Sequence, residues 1–233
     1  MRLDKYFSEL KILSRKEVAA CVKKGLITVN DTPALRADQK IDEERDAVTF
    51  NGEPVLYRKH LYLVLNKPQG YVCSTDDPRD RTVIELLPEH LRKFDLFPCG
   101  RLDKDTVGLV ILTNDGIAAH NALSPRHHVA KRYRFKTADA YTDGDKKAIE
   151  AGLELADGYV TKPCVIERTD GREGYITLTE GKYHEIKRLF GARGNRIVYL
   201  QRVSFAHLTL DGLKLGAWRE MTADEIALFT AKP

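Results

Sequence analysis

The chain has 233 residues, 42% of them hydrophobic and 31% charged, with a formal net charge of +4. This composition is that of a folded protein, it excludes a disordered chain, and no apolar run approaches the roughly 20 residues a membrane helix needs. Four scattered cysteines (Cys21, Cys73, Cys99, Cys164) make no CxxC pair and no metal spacing, and no apolar signal core follows Met1, so a reduced cytoplasmic protein is expected.

The first 29 residues carry seven Lys or Arg against three Asp or Glu. Leu3, Tyr6, Phe7 and Leu10 recur at helical spacing and predict a short amphipathic helix. Ser14-Arg15-Lys16-Glu17 is a capping box that opens a second helix, with Val18, Cys21 and Val22 on its core side and Gly25 at its end. Leu26–Val29 reads as a strand turned by Asn30-Asp31. Val48–Phe50, Asn51-Gly52 and Pro54-Val55 read as a closing hairpin. A helix pair rimmed with Lys and Arg can dock on RNA by shape and phosphate contact. Arg2-Leu3-Asp4-Lys5, Ser14-Arg15, Lys23-Lys24-Gly25 and Val29-Asn30 together resemble the S4 RNA-binding module. The resemblance implies that residues 1–57 form a small S4-like domain that captures RNA through Arg2, Arg15, Lys16, Lys23 and Lys24. Residues 58–60 are the expected linker, and residues 61–233 a second, larger domain.

In that second domain Leu61–Leu65 has a strand pattern, stopped by Asn66-Lys67-Pro68. Gly100-Arg101-Leu102-Asp103-Lys104-Asp105-Thr106-Val107-Gly108-Leu109 then packs two carboxylates and two cations into five residues, directly before the apolar run Val110–Thr113. The run reads as a buried strand, so the charged cluster sits on a loop fixed to the core, where reactive groups usually lie. Gly116–Leu123 predicts a helix ending at Ser124-Pro125. The neighbours His127 and His128 make a poor metal pair, since adjacent side chains point apart. Ala130–Lys136 alternates, with Tyr133 and Phe135 on one face. Lys146–Leu155 predicts a helix and Tyr175–Thr179 a strand. Ile186, Leu189 and Phe190 give a helical stripe entered through Gly181, in a stretch (residues 181–202) with six basic residues and one acidic. Val198–Leu210 reads as two strands broken near Ser204-Phe205, Trp218-Arg219 closes the sheet, and Thr222–Glu225 caps a final helix through Phe229. Strands without strict alternation with helices predict an α+β fold with a mixed, mostly antiparallel sheet.

The motif Gly-Arg-Leu-Asp-x-Asp-Thr-x-Gly-Leu at residues 100–109 resembles the catalytic motif of the RNA pseudouridine synthases, in the branch that modifies ribosomal RNA and carries a leading S4-type domain. Asn66-Lys67-Pro68 with Gly70-Tyr71-Val72, Lys131-Arg132-Tyr133, and Glu180-Gly181-Lys182-Tyr183-His184-Glu185-Ile186-Lys187-Arg188 resemble the other motifs of that family, in the family order. One departure is Glu185, where Gln is common, which alters the local charge. The resemblance implies isomerisation of a uridine within RNA, without metal, redox cofactor or nucleotide. It gives Asp103 the role of catalytic carboxylate, Tyr133 that of stacking on the extruded base, and Lys187 that of the cation paired with Asp103. Arg101 is expected to help extrude the uridine, Thr106 to shape the loop, and Ile186 or Leu189 to floor the pocket. Arg126, Lys131, Lys182, Arg188, Arg193 and Arg196 are expected to contact RNA. The stretch Gly70–Pro78 is similar to the members acting on small-subunit RNA, which implies 16S ribosomal RNA, uridine 516, as partner, free or in a partly assembled subunit, acted on by a monomer. Three other readings are open: action on 23S RNA, a non-catalytic S4-type assembly protein, and a hydrolase using Asp103 or Asp105 with a histidine. No Gly-x-Ser-x-Gly elbow or metal-ligand spacing supports the last.

Overall fold

The computed structural model describes residues 1–124 and 128–231 and divides the chain into two compact units, Met1–Leu61 and Tyr62–Pro233. In the first unit, α1 (Leu3–Glu9) and α2 (Arg15–Lys23) precede a small antiparallel sheet. The Ser14 capping box forms, with Glu17 N–H on the Ser14 hydroxyl and Ser14 N–H on the Glu17 carboxylate. Gly25, at φ +69°, ends α2: its N–H bonds Val22 O, and Leu26 N–H bonds Cys21 O, the paired arrangement that a left-handed residue after a helix allows. The sheet runs β2 (Thr32–Pro33), β1 (Ile27–Val29), β3 (Val48–Phe50), β4 (Glu53–Val55). Asn30-Asp31 and Asn51-Gly52 turn its hairpins with positive φ at all four residues, which suits the twist of the flanking strands. Leu3, Phe7, Val18 and Ile27 are fully buried beneath it.

The second unit contains β5 (Tyr62–Lys67), a 3₁₀ turn (Val83–Leu86), α3 (Glu89–Arg92), β6 (Phe97–Cys99), β7 (Val107–Thr113), α4 (Gly116–Leu123), β8 (Lys131–Thr137) and α5 (Asp143–Ala151). It continues through β9 (Val165–Arg168), β10 (Glu173–Leu178), α6 (Glu185–Gly191), β11 (Ile197–Phe205), β12 (Leu208–Thr209), β13 (Trp218–Glu220) and α7 (Ala223–Thr230). The sheet order is β13-β5-β7-β11-β8-β10-β9, with β6 added to β7 and β12 to β11. Among the described strands of this sheet only β7 and β11 pair in parallel, so the fold is α+β with a mixed, mostly antiparallel sheet. Tyr62, Val64, Leu109, Ile111, Phe205 and Phe229 belong to a core that α4 and α7 share with the sheet. Phe135 of β8, Tyr141 and Phe190 of α6 make a second aromatic contact set, with centroids 4.8 to 5.8 Å apart.

Several elements differ from the reading of the sequence. β5 continues through Asn66 and Lys67, both buried. The helix expected over 146–155 starts at Asp143, because Thr142 and Asp145 form its capping box, and it ends at Gly152. The helix expected to be entered through Gly181 starts at Glu185, behind His184 at φ +50°. The break between β11 and β12 falls at Ala206-His207, where Ala206 is left-handed.

The centre of the sheet positions the site. β5 occupies one edge of β7 along its length. On the other edge, β11 pairs only at Gln201↔Val107 and Arg202↔Gly108, and β6 takes over from Ile111 to Thr113. The two halves of the sheet therefore part beyond Arg202, and a cleft opens between them.

Candidate active site

The cleft has a volume of about 970 Å³ and is lined by Asp103, Tyr133, His184, Lys131 and Arg202 among others. A smaller cavity of about 80 Å³ next to it shares Asp103 and Tyr133 and adds Thr106, Ile186 and Lys187. The loop from Gly100 to Thr106 is fixed from beneath by Lys67, which is fully buried. Its ammonium donates to the carbonyls of Pro68 (3.2 Å), Lys104 (3.3 Å) and Thr106 (2.7 Å). Burial lowers its pKa, and the carboxylates of Asp105 and Asp103 act against that. Cys73 Sγ accepts the Leu102 N–H at 3.3 Å, and Gly70 N–H bonds Lys104 O at 2.8 Å. These bonds hold the loop from several directions, so Asp103 is presented by a rigid frame rather than a mobile one.

Lys187 Nζ lies 2.8 Å from Asp103 Oδ2 and 2.6 Å from Asp105 Oδ1. Burial alone would lower the Lys187 pKa, but hydrogen bonds to both carboxylates outweigh it and the pKa is raised. Burial opposes and Lys187 reverses the shift of Asp105, which is held below the ordinary carboxylate value. His184 Nε2 is 3.3 Å from Asp103 Oδ1, and its ring stacks on Tyr183 at 3.9 Å between centroids. Asp103 and Asp105 differ in access: the Asp103 side chain is 27% exposed and faces the cleft, whereas Asp105 is 61% exposed and lines only a shallower hollow. Phe190, packed on Phe135 at 4.8 Å, seats α6 and with it Lys187.

Tyr133 is buried on β8, opposite Arg202 on β11 and Ile176 on β10. Thr106 is buried with no hydrogen-bond partner for its hydroxyl. Ile186 lines the smaller cavity, and Leu189, on the same helix, is fully buried. Arg101 and Lys182 line both cavities. Arg188 is tied to Asp157 at 2.5 Å, and Arg193 is tied through Nε to Asp145 at 2.9 Å. Arg2 is paired with Asp4 in the same way, through two bonds of 3.0 and 2.8 Å. Arg15, Lys16, Lys23, Lys24 and Arg196 are exposed. Arg126 and His127 lie outside the described residues. Among the described residues no group of three or more His, Cys, Asp or Glu could hold a metal ion, and no helix is long and apolar enough to cross a membrane.

Three groups at the site have surroundings that the sequence does not show. Arg202 is only 2% exposed yet lines the cleft, and its Nε donates to Leu109 O at 2.7 Å. Glu185 is buried, accepts Lys182 N–H at 2.8 Å, and lies against the Glu180 carboxyl group; burial first, then Glu180, push its pKa up to about 7. Glu180 in turn accepts Tyr159 O–H at 2.5 Å and Lys162 N–H at 2.7 Å. The signal for Glu185 in the sequence is its place in the third motif, where Gln is common; its burial against Glu180 is not legible there.

Residues 61–192 match the family model described as RNA pseudouridylate synthase. A Bacillus subtilis protein named uncharacterized RNA pseudouridine synthase YtzG is 43% identical, over 98% of this chain and 98% of its own. The Escherichia coli (strain K12) ribosomal small subunit pseudouridine synthase A is 39% identical, over 97% of this chain and 99% of its own. A solved structure described as a pseudouridylate synthase is 34% identical and superimposes with a TM-score of 0.70, covering 98% of this chain and 99% of that one.

Proposed function

The chain belongs to the RNA pseudouridylate synthase family, and on that premise we propose that it converts one uridine of 16S ribosomal RNA, position 516, to pseudouridine with Asp103 as the reacting carboxylate. The coarser statement, that it is an RNA pseudouridine synthase, follows from the family itself. The observation that carries the finer assignment to Asp103 is its placement: a carboxylate on a rigid loop, open to the cleft, with Lys187 at 2.8 Å and Tyr133 lining the same space.

The reaction breaks the N-glycosidic bond, turns the uracil, and joins the ribose to a ring carbon; no atom is gained or lost. The uridine must leave its stack to be reached, at a cost of roughly a few kcal/mol. Stacking on Tyr133 offsets that cost. Asp103 must be ionised to attack the sugar, to attack the ring or to remove a ribose proton, and the neighbouring ammonium of Lys187 favours that state. Arg101 and Lys182, at the cleft wall, hold the flanking backbone.

Residues 1–61 serve as an S4-like RNA-binding module, through Arg15, Lys16, Lys23 and Lys24. The small-subunit substrate is supported by the name of the Escherichia coli relative and by the stretch Gly70–Pro78. The test is carbodiimide labelling with primer extension on 16S and 23S RNA from cells lacking this gene, with and without the gene restored. A single 16S stop that returns with the gene is expected at position 516. A stop lost instead from 23S RNA overturns the substrate, and no lost stop in either overturns the activity in those cells.

A further inference from the structure

Arg202 and Lys131 form an unbalanced pair of cations at the floor of the cleft. Across the β8–β11 ladder Arg202 sits opposite Tyr133, and Phe205 opposite Lys131. Directly paired residues of a ladder project from the same face, with Cβ atoms about 5 Å apart. The four side chains all line the cleft. Both charges lie over the Phe205 ring, the Arg202 guanidinium 5.4 Å and the Lys131 ammonium 5.3 Å from its centroid.

Neither cation has a carboxylate within ion-pair distance among the described residues. Arg202 spends Nε on Leu109 O, and its buried Nη2 has no partner. Lys131 donates to the carbonyl of Val129 at 3.0 Å. Two like charges near one another, away from water, are costly unless an anion joins them. The Lys131 pKa is lowered accordingly, by burial first and by Arg202 next. Arginine is weakly hydrated and forked, and it suits a planar pair of oxygens on a phosphate or carboxylate.

We infer that Arg202 and Lys131 form an internal phosphate site that holds one phosphodiester of the RNA, immediately beside the base stacked on Tyr133. The inference rests on the RNA reading of this cleft and deepens it. The position explains why the cleft is far larger than a nucleobase needs: about 970 Å³ lies at the upper end of small-molecule pockets, roughly 300–1,000 Å³. The strand pairing that separates the halves of the sheet leaves room for sugar and backbone to follow the base inward. The phosphate neutralises the two cations only when the nucleotide is extruded, so the site favours the flipped state over a stacked one.

The test uses the full-length protein and a synthetic hairpin spanning the mapped uridine, with a neutral methylphosphonate placed at each phosphate flanking it in turn. The affinity of each hairpin is measured for the wild type and for Lys131→Met, which keeps the aliphatic stem. One methylphosphonate position is expected to weaken wild-type binding by roughly 10- to 100-fold, the scale of a hydrogen bond to a charged group. The same position should weaken Lys131→Met by a clearly smaller factor than it weakens the wild type, since one of the two cations that meet the phosphate is already gone and only Arg202 remains. Tolerance of every methylphosphonate by the wild type overturns the site, and so does a penalty undiminished in the variant. The wild-type scan stands by itself should Lys131→Met fold poorly. Turnover of the unmodified hairpin is followed in parallel: absent turnover with a clear scan speaks against the activity on this RNA, whereas normal turnover with a flat scan speaks against the phosphate site alone.

Discussion

Lys187 Nζ reaches Asp103 Oδ2 at 2.8 Å across 84 residues of chain. The contact joins α6 to the loop before β7, and both side chains are mostly shielded from solvent. Replacing Lys187 by Met leaves Asp103 without its ammonium and releases Asp105 as well. The expected loss in kcat is about 10²- to 10³-fold, the scale of removing one preorganised electrostatic partner. KM should change less than kcat, since the pair faces the reacting carboxylate. Lys187→Arg keeps the charge and should recover part of the loss. Steady-state kinetics of the two variants, with circular dichroism to confirm the fold, checks this; a Met variant with near-normal kcat would sink the role.

The stability of the protein should depend on pH through Glu185. In the folded state its carboxyl group holds a proton to about pH 7, because burial and Glu180 both disfavour the charge. In an unfolded chain a glutamate loses its proton near 4.3. Between these values the folded state binds the more protons, so stability is greatest below the unfolded value, declines as pH rises through the window, and levels off above about 7. The total is on the order of 3–4 kcal/mol. Glu185→Gln cannot ionise and can donate an amide hydrogen bond to Glu180. Urea denaturation at pH 5 and pH 8 should show the variant gaining on the wild type at the higher pH. Parallel curves for the two proteins would contradict it.

The sequence was readable where local chemistry decides the structure. Ser14–Glu17 and Thr222–Glu225 open helices because their side chains satisfy the free N–H groups of the first turn. Asn51-Gly52 turns a hairpin because both residues accept positive φ. Asp103 and Lys187 carried a family resemblance. Distant contacts were not readable. The start of α5 is set by the Thr142–Asp145 capping box, upstream of the apolar pattern, and α6 starts at Glu185 because His184 adopts a left-handed backbone. The ion pairs of Arg188 with Asp157 and of Arg193 with Asp145 join distant segments, and nothing local in the sequence signals them. The burial of Lys67 and Arg202 is not legible in the sequence, because it depends on backbone carbonyls supplied by the Asp103 loop and by β7.

Gly108 should tolerate no side chain. It sits at φ +109°, and a Cβ there would meet Arg202 O at 2.2 Å. The close approach allows β7 to pair with β11 over two residues, at the point where the cleft begins. Gly108→Ala is expected to cost about 3 kcal/mol or more, from backbone strain and forced separation of the strands. Thermal unfolding reads it directly, and a melting temperature within 2–3 °C of wild type would show that the sheet yields more easily than this geometry implies, given the usual ~2–4 °C per kcal/mol at this chain length.

Neutralising Arg15, Lys16, Lys23 and Lys24 to Gln should weaken RNA binding without harming the chemistry. All four are exposed on or beside α2, so the fold of the first unit should persist. If each meets a phosphate, the slope of log affinity against log salt should fall by about 3 to 4. KM should rise while kcat at saturating RNA stays within about twofold. An unchanged salt slope would remove the first unit from the RNA interface.

The most direct test of the account is Asp103→Asn, assayed by release of tritium from RNA labelled at the uridine ring carbon that becomes bonded to ribose. Asparagine preserves size and polarity but can neither attack as a carboxylate nor accept a proton as one. The predicted result is loss of detectable turnover with RNA affinity within about threefold of wild type, while Asp105→Asn retains measurable turnover. Turnover by Asp103→Asn within tenfold of wild type, or abolition by Asp105→Asn alone, would contradict the assignment.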